Sequence, residues 1–440
     1  MRQTNKKQVK AWAMYDWANS VYNLVITTTF FPIYFLAVTK NNPDWQNGEA
    51  VRFLGGTFKN SSLYDYALSF AYFLIALSYP VLSAIADTRG NKKNFLQFFC
   101  YMGSIGCMML FFFEGSALWV GIVGLMMGAM GYAGGLVFYN AYLPEIAAPQ
   151  DQDRVSARGF SMGYLGSVLL QIIGFAIVVS MAGKEGLATR ITFLLTGLWW
   201  VGFAQITFRG LPPPAQRQGN GENVFKVGFR EIGKVYSQVK HMPVLKRFLR
   251  AFFFYSMGVQ TVMLAATQFG SKVLELPDDR LIITVVLIQL VAIAGAILMS
   301  RLSGRFGNLV VLMGVVLVWV FICLAAYATV TIKENGGSAE FAFYGLAVGV
   351  GLIMGGIQSL SRSTYSKLMP ETKDTASYFT YYDFTEKVAI VLGLFTFGFV
   401  DGWLGMKYSV LSLIVFFVVG LIWLFSANER SKKEWVPQPA

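Results

Sequence analysis

Long apolar runs separated by short polar stretches recur along the whole 440-residue chain. An apolar run of about 20 residues is the length of a helix that crosses a bilayer. Twelve such helices are predicted, near residues 11–39, 63–86, 94–113, 117–139, 159–182, 190–210, 247–271, 280–302, 307–330, 341–362, 377–402 and 406–427. The first breaks the pattern. Its opening half, AWAMYDWANSVYN, carries Asp16, Asn19, Ser20 and Asn23. On a helix Asp16, Asn19 and Asn23 fall at i, i+3 and i+7, and Thr27 nearly continues the line. An Asp at the bilayer centre costs about 2.5–3.5 kcal/mol, so this stripe is expected to face a watery cavity or another helix rather than lipid. Asp16 has two readings. It is either an interfacial carboxylate favoured by the dipole at the helix N-terminus, or a gate or proton-linked group.

Composition agrees with a membrane protein. Hydrophobic residues make up 55% of the chain and charged residues only 14%, more apolar surface than a soluble fold of this size can hide. The basic start MRQTNKKQVK precedes a run too long, and without the small-residue site, for a cleaved leader, so that run is expected to remain as the first helix. Twelve spans put both termini on one side. The termini and the loops after even-numbered helices hold 26 of the 36 Lys and Arg, the opposite loops hold 9, and Lys387 lies inside a helix. Both termini are therefore expected in the cytoplasm, with a bacterial cytoplasmic membrane as the location. The net charge of +12 is accounted for by basic loops on an anionic leaflet, without nucleic acid. Cys100, Cys107 and Cys323 fall in apolar runs and read as packing residues. The one histidine, His241, sits in a polar linker, so no metal set is expected; no P-loop is present and no cofactor is implied.

The chain also resembles itself. SAIADTRGN at 83–91 returns as SRLSGRFGN at 300–308, an offset of 217. Gly124, Gly128, Gly134, Gly135 and Pro149 match Gly345, Gly349, Gly355, Gly356 and Pro370, at an offset of 221. The reading is a six-helix bundle at 1–210, a cytoplasmic linker at 211–246, and a second bundle with a short tail at 247–440. Duplicated membrane halves are the architecture of secondary transporters. The glycine pairs in the pattern GxxxG let helices approach closely. The linker opens with turn-rich LPPPAQRQGNGEN and continues into an amphipathic helix. Phe225, Phe229, Ile232, Tyr236 and Val239 form its apolar face, beside a basic stripe of Lys226, Arg230 and Lys234.

LSAIADTRGNKKNFL resembles the cytoplasmic loop signature of the major facilitator superfamily, G-x-L-A-D-[RK]-x-G-[RK]-[RK]. Asp87, Gly90 and Lys92 match it, whereas Ser83, Thr88 and Asn91 depart. YDWANS at 15–20, FYNAYLPEIA with DRVSARGFSMGYLG through 138–166, FFFYSMGVQT at 252–261, and GGIQSLSRS through YYDFTEK at 355–387 resemble one branch of it, the vacuole-effluxer-like transporters. The likeness touches both halves. It departs at Met257, where many members of the branch carry an acid.

The resemblance implies an all-α integral membrane fold, with twelve helices in two pseudo-symmetric bundles, and alternating access. It also implies a central cavity lined by helices one, four, seven and ten. Polar side chains on those helices become substrate-binding candidates. They are Asn19, Tyr22 and Asn23 on helix one, Tyr132 with Tyr139 on helix four, Tyr255, Gln260 and Gln268 on helix seven, and Gln358 on helix ten. Amides and phenols orient a polar solute without burying a charge, although buried amides also tie helices together. Helix eleven opens with YYDFTEK. Asp383 and Lys387 stand at i, i+4 with Glu386 beside them. They form either a structural pair or a charge switch that loads a proton; with Asp16 they are the coupling candidates. Gating candidates are Asp87, Arg89, Gly90 and Lys92 in the signature loop, Glu145 and Arg158 after helix four, Arg305 in the second loop, and Arg362 on helix ten. Asp87 is expected to face the positive N-terminus of helix eleven near Ser377, a latch that should be one-sided because Gly304 replaces Asp87 in the repeat.

The function read from these features is secondary active transport of a small polar organic solute, an amino acid or related metabolite, with the proton as the plausible coupling ion. The expected partners are that solute and the bilayer. A lipid or lysolipid transporter and a non-transporting sensor are the rivals. An enzyme would need a nucleophile with its base, or a metal set, and neither is found.

Overall fold

The computed structural model describes residues 3–40, 50–115, 117–214, 224–274, 278–337 and 339–434. Twelve helical spans run through them. The first is composite: α1 (Lys6–Val21), a π-helical stretch Tyr22–Phe30, and α2 (Phe31–Lys40). The others are α3 (Asn60–Arg89), α4 (Lys92–Met109), α5 (Leu118–Asn140), α7 (Gln152–Ser180), α8 (Glu185–Gly210), α10 (Pro243–Gln268), α11 (Asp278–Phe306), α12 (Asn308–Glu334), α13 (Glu340–Leu368), α14 (Thr375–Leu404) and α15 (Met406–Glu434). Eleven of the twelve are long and apolar enough to cross a bilayer. The remaining one, α10, carries Lys246, Arg247 and Arg250 in its first two turns. The protein is a multi-pass integral membrane protein of the expected class. Two short elements, α6 (Leu143–Ile146) and α9 (Val224–Lys240), connect spans.

Helix one departs from the expected continuous α-helix. Asn5 caps it, accepting from the backbone N–H of Lys7 and Gln8 at 3.1 and 3.2 Å. From Tyr22 the coil widens to π geometry, which has more residues per turn than the 3.6 of an α-helix. The polar stripe predicted at i, i+3 and i+7 is therefore not kept on one line: Asn19 is fully buried while Asn23 is half-exposed. A hairpin that hydrophobic periodicity did not reveal follows this span. Ala50–Phe53 pairs antiparallel with Gly56–Lys59 around Leu54 and Gly55, both at positive φ (49° and 80°), the geometry of a two-residue hairpin turn.

The chain divides into two compact units. One contains Asn5–Tyr142 and Met162–Gly228; in it α4 packs on α5 and α8, α1 on α8, and α3 on α5. The other contains Leu143–Ser161 and Phe229–Ala440 and takes in Thr4; in it α11 packs on α13, and α10 and α12 on α15. The first turns of α7 thus group with the second of these units. Close approach is glycine-dependent in both units. A Cβ on Gly131 would collide with the backbone of Gly103, and one on Gly355 with the carbonyl of Ala292.

The repeat is visible in the backbone. Gly90 closes α3 at φ +68° and Gly307 closes α11 at φ +85°. These are the glycines that the 217-residue offset pairs. Each ends a helix in the left-handed conformation that glycine adopts without steric penalty. Among the described side chains of α9, Val235 and Val239 are buried and Tyr236 is 60% exposed. The side chains of Phe225, Lys226, Phe229, Ile232 and Gln268, and residues 215–223 of the linker, lie outside the described set.

Candidate functional site

In the first-half unit the helix-one stripe meets α5. The Tyr139 hydroxyl donates to Asp16 Oδ2 at 2.7 Å, Trp12 stacks on Tyr139 with centroids 4.4 Å apart, and Trp12 Nε1 donates to the Tyr139 carbonyl at 2.9 Å. Asp16 is thereby fixed to helix four. Asn19 lies next along the stripe with no exposed surface, and neither its Oδ1 nor its Nδ2 has a hydrogen-bond partner among the described residues. A buried primary amide with neither end satisfied is costly. The Tyr22 hydroxyl is already committed to the Leu125 carbonyl at 3.0 Å, and its ring sits 5.9 Å from that of Tyr132.

The π segment has a specific partner. Gln171 on α7 donates from Nε2 to the Leu24 carbonyl at 2.8 Å and to Thr29 Oγ1 at 3.0 Å, and Thr29 Oγ1 itself donates to the Leu24 carbonyl at 2.8 Å. Widening the coil disturbs the regular backbone ladder, and this side chain helps to satisfy it. The sequence reading did not single out Gln171. It is 147 residues from Leu24, and nothing local announces the pair.

In the second-half unit α10, α13 and α14 bring polar groups together inside the membrane-spanning region. The Tyr255 hydroxyl lies 2.7 Å from Ser361 Oγ. Gln260 Nε2 donates to Glu386 Oε1 at 3.1 Å, and Lys387 Nζ sits 3.4 Å from Glu386 Oε2. Gln358 reaches Met263 Sδ at 3.2 Å. Asp383 is 4% exposed, and its Oδ2 has no hydrogen-bond partner among the described residues. Tyr382 beside it stacks on Phe252 at 4.2 Å. Lys387 thus has the adjacent Glu386 as an ion-pair partner, with Asp383 one turn earlier on the same helix.

At the end of this unit where α13 stops, Arg362 is buried. Its Nε donates to Ser156 Oγ and its Nη2 to the Ser156 carbonyl, both at 2.9 Å, and its guanidinium lies 4.3 Å from the Phe160 ring centroid. Ser156 Oγ donates in turn to the Ser359 carbonyl at 2.7 Å. One turn earlier on α7, Asp153 accepts from Ser303 Oγ at 2.8 Å, Asn308 Nδ2 at 2.7 Å and Lys367 Nζ at 2.6 Å. Lys367 also donates to Asn308 Oδ1 at 3.0 Å. Asp153 thus clasps the repeated loop 300–308, whose own sequence has Gly304 where the first copy has Asp87.

Glu145 accepts from Thr375 Oγ1 at 3.0 Å. It places a carboxylate at the first residue of α14, where the helix dipole is positive. Lys234 on α9 bridges to Asp374 at 3.1 Å, and Tyr378 donates to Gln238 at 2.7 Å. Asp87 and Lys92 are buried, the latter 5.4 Å from the Tyr142 ring, while Arg89, Arg158 and Arg305 are exposed. Asp153, Ser156, Ser303 and Asn308 were missed as site residues. The first two stand in DRVSARG and the last two in SRLSGRFGN, both conspicuous stretches, but they join across about 150 residues.

With this geometry in place, the comparisons with known proteins agree on the kind of molecule. The family described as vacuole effluxer Atg22 like matches residues 4–435. The MFS-type transporter YxiO of Bacillus subtilis (strain 168) is 29% identical over 436 residues, 97% of this chain and 96% of that one. Autophagy-related protein 22 of Cryptococcus neoformans var. neoformans serotype D is 30% identical over 297 residues, 64% of this chain and 54% of the fungal protein. Among solved structures, the proton:xylose symporter XylE gives a TM-score of 0.71 at 10% identity, covering 96% of this chain and 95% of that one. A bacterial homologue of ferroportin in the outward-facing state gives 0.67 at 11% identity, covering 96% and 99%. These structures share the major facilitator fold.

Proposed function

We propose a transport cycle for this chain, which belongs to the vacuole effluxer Atg22-like family and is an MFS-type transporter. The chain moves a small polar organic solute, an amino acid or a related metabolite, by alternating access with both termini in the cytoplasm. Protons drive it. Asn19, Asn23 and Tyr132 are the solute-binding candidates of the first unit, and Gln260 and Gln358, taken separately, are those of the second. Tyr22 and Tyr255 hold the surrounding helices.

One observation carries the coupling: Asp383 is buried in a membrane-spanning helix, and one of its carboxylate oxygens has no donor among the described residues. A carboxylate whose desolvation and neighbours change between conformations exchanges its proton as they change. Glu386 and Lys387 sit within one turn of Asp383 on α14 and move with it, so a shift of this helix against α10 and α13 changes the surroundings of all three charges. Asp16, held by Tyr139, is the corresponding carboxylate of the first half. One charge moved across 100 mV supplies about 2.3 kcal/mol, enough for tens-fold accumulation.

The test starts with a ligand screen by thermal shift on purified protein, followed by uptake into vesicles with and without a pH gradient. Asp383→Asn is expected to keep ligand binding and lose the response to the gradient. Full gradient-driven uptake by both Asp383→Asn and Asp16→Asn refutes the coupling.

A second reading, lipid or lysolipid transport, draws on an apolar groove of about 340 Å³ between α12 and α13, lined by Val318, Phe321, Ile322, Gly345 and Gly349 among others. Protection by lysolipid but by no polar metabolite in the same screen would favour it.

A further inference from the structure

We propose that the junction of α10 and α15 is a binding site for the phosphate of an anionic phospholipid, on the membrane face that the Lys and Arg distribution assigns to the cytoplasm. Three cations, Lys246, Arg247 and Arg250, open α10, and among the described residues none makes an ion pair with a carboxylate. This sets them apart from Lys367, Lys234 and Lys407, each of which has an acid within 4 Å. The acids on the facing end of α15 are already engaged: Glu434 by Arg430 and Glu429 by Lys432, each at 3.0 Å.

The two arginines are held ready. Arg247 Nη1 donates to the Ser426 carbonyl at 2.9 Å, which fixes the guanidinium and leaves its other N–H groups unspent. Arg250 lies with its guanidinium 4.5 Å from the Trp423 ring centroid and is solvent-exposed. A guanidinium stacked on an aromatic ring still presents its edge, the geometry that takes two oxygens of a phosphate. Tryptophan belongs at the headgroup level of a bilayer, so this pair marks the depth at which lipid phosphates lie. Val415, Val418, Ile422 and Phe425 are exposed along α15 at helical spacing and provide an apolar track for an acyl chain from that point. Cations without protein counter-ions, an interfacial ring and an adjoining apolar stripe fit one ligand, a phosphate joined to a hydrocarbon tail.

The experiment places the full-length protein in nanodiscs of phosphatidylcholine alone or with phosphatidylglycerol. It reads retained lipid by native mass spectrometry and the melting temperature. The wild type is expected to retain phosphatidylglycerol and to melt higher in its presence. Lys246→Gln with Arg250→Gln is expected to lower that retention about tenfold or more, while its melting temperature in pure phosphatidylcholine stays at the wild-type value. Arg250→Gln alone, which touches only the Trp423 ring, gives a smaller loss of the same sign. Lys6→Gln with Lys7→Gln, two exposed lysines on helix one, removes equal charge from the same membrane face and leaves retention unchanged. The site is refuted if the wild type shows no preference, or if both double variants lose it equally, which a diffuse surface field predicts. Displacement of the lipid by millimolar inorganic phosphate would identify free phosphate as the ligand and overturn the lipid assignment.

Discussion

The two halves share glycine positions and a loop sequence, yet use them differently. Gly128 and Gly349 are related by the 221-residue repeat. A Cβ on Gly128 would collide with the Tyr22 ring, whereas on Gly349 it would meet only Ile322, at 3.6 Å. Gly124 is packed against Leu110 and the Gly106 carbonyl, and its counterpart Gly345 faces open space. The loops differ as well. The first copy carries its own buried acid, Asp87. The second has Gly304 at that place and receives its acid, Asp153, from the start of α7. Duplication preserved the backbone device, a left-handed glycine ending a helix, and left the side-chain chemistry free to be supplied from elsewhere.

This contrast can be broken experimentally, most forcefully at Asp153. Asp153→Ala removes the acceptor shared by Ser303, Asn308 and Lys367 and leaves a part-buried ammonium without its carboxylate. Loss of one partner from such a network is expected to cost about 3 kcal/mol, seen as a lower melting temperature of the purified protein. Next comes Arg362→Lys. An ammonium cannot reproduce the two-pronged contact with Ser156 or the stacking on Phe160. A loss of about 2 kcal/mol is expected, measured against Arg362→Gln in denaturant titration.

The glycine comparison gives a paired test. Gly128→Ala should destabilise by about 1–3 kcal/mol through overpacking against Tyr22. Gly349→Ala should be neutral or stabilise by up to about 1 kcal/mol, since alanine is the better helix residue and has room. Equal melting temperatures for the two variants would mean the halves do not differ in this way. A smaller loss than at Gly128 is expected at Gln171→Leu, which leaves the Leu24 carbonyl with one donor fewer and costs about 1 kcal/mol. Hydrogen exchange should rise at the π segment of helix one and remain unchanged in α10.

The candidate site was partly legible. Asp16, Asp383 and Glu386 stand out because an acid inside an apolar run violates the composition of its surroundings, and that violation needs no structure to detect. Gln171, Ser156 and Ser303 carry no such mark, since serine and glutamine are unremarkable in membrane helices. Their roles come from partners far along the chain, as with the 147 residues between Leu24 and Gln171.

Hydrophobic run length and charge asymmetry are properties of consecutive residues. The sequence alone therefore determined the membrane class, the twelve spans and the duplicated plan, because a bilayer demands about 20 apolar residues for each crossing. Which polar group satisfies which was decided only by the tertiary structure. Asp153 clasping a loop 150 residues away, Asn19 without a partner among the described residues, and a helix widened at Tyr22 all depend on the meeting of distant backbones. Local periodicity assumes a regular 3.6-residue coil and an isolated helix; each of these features arises where one of those assumptions fails.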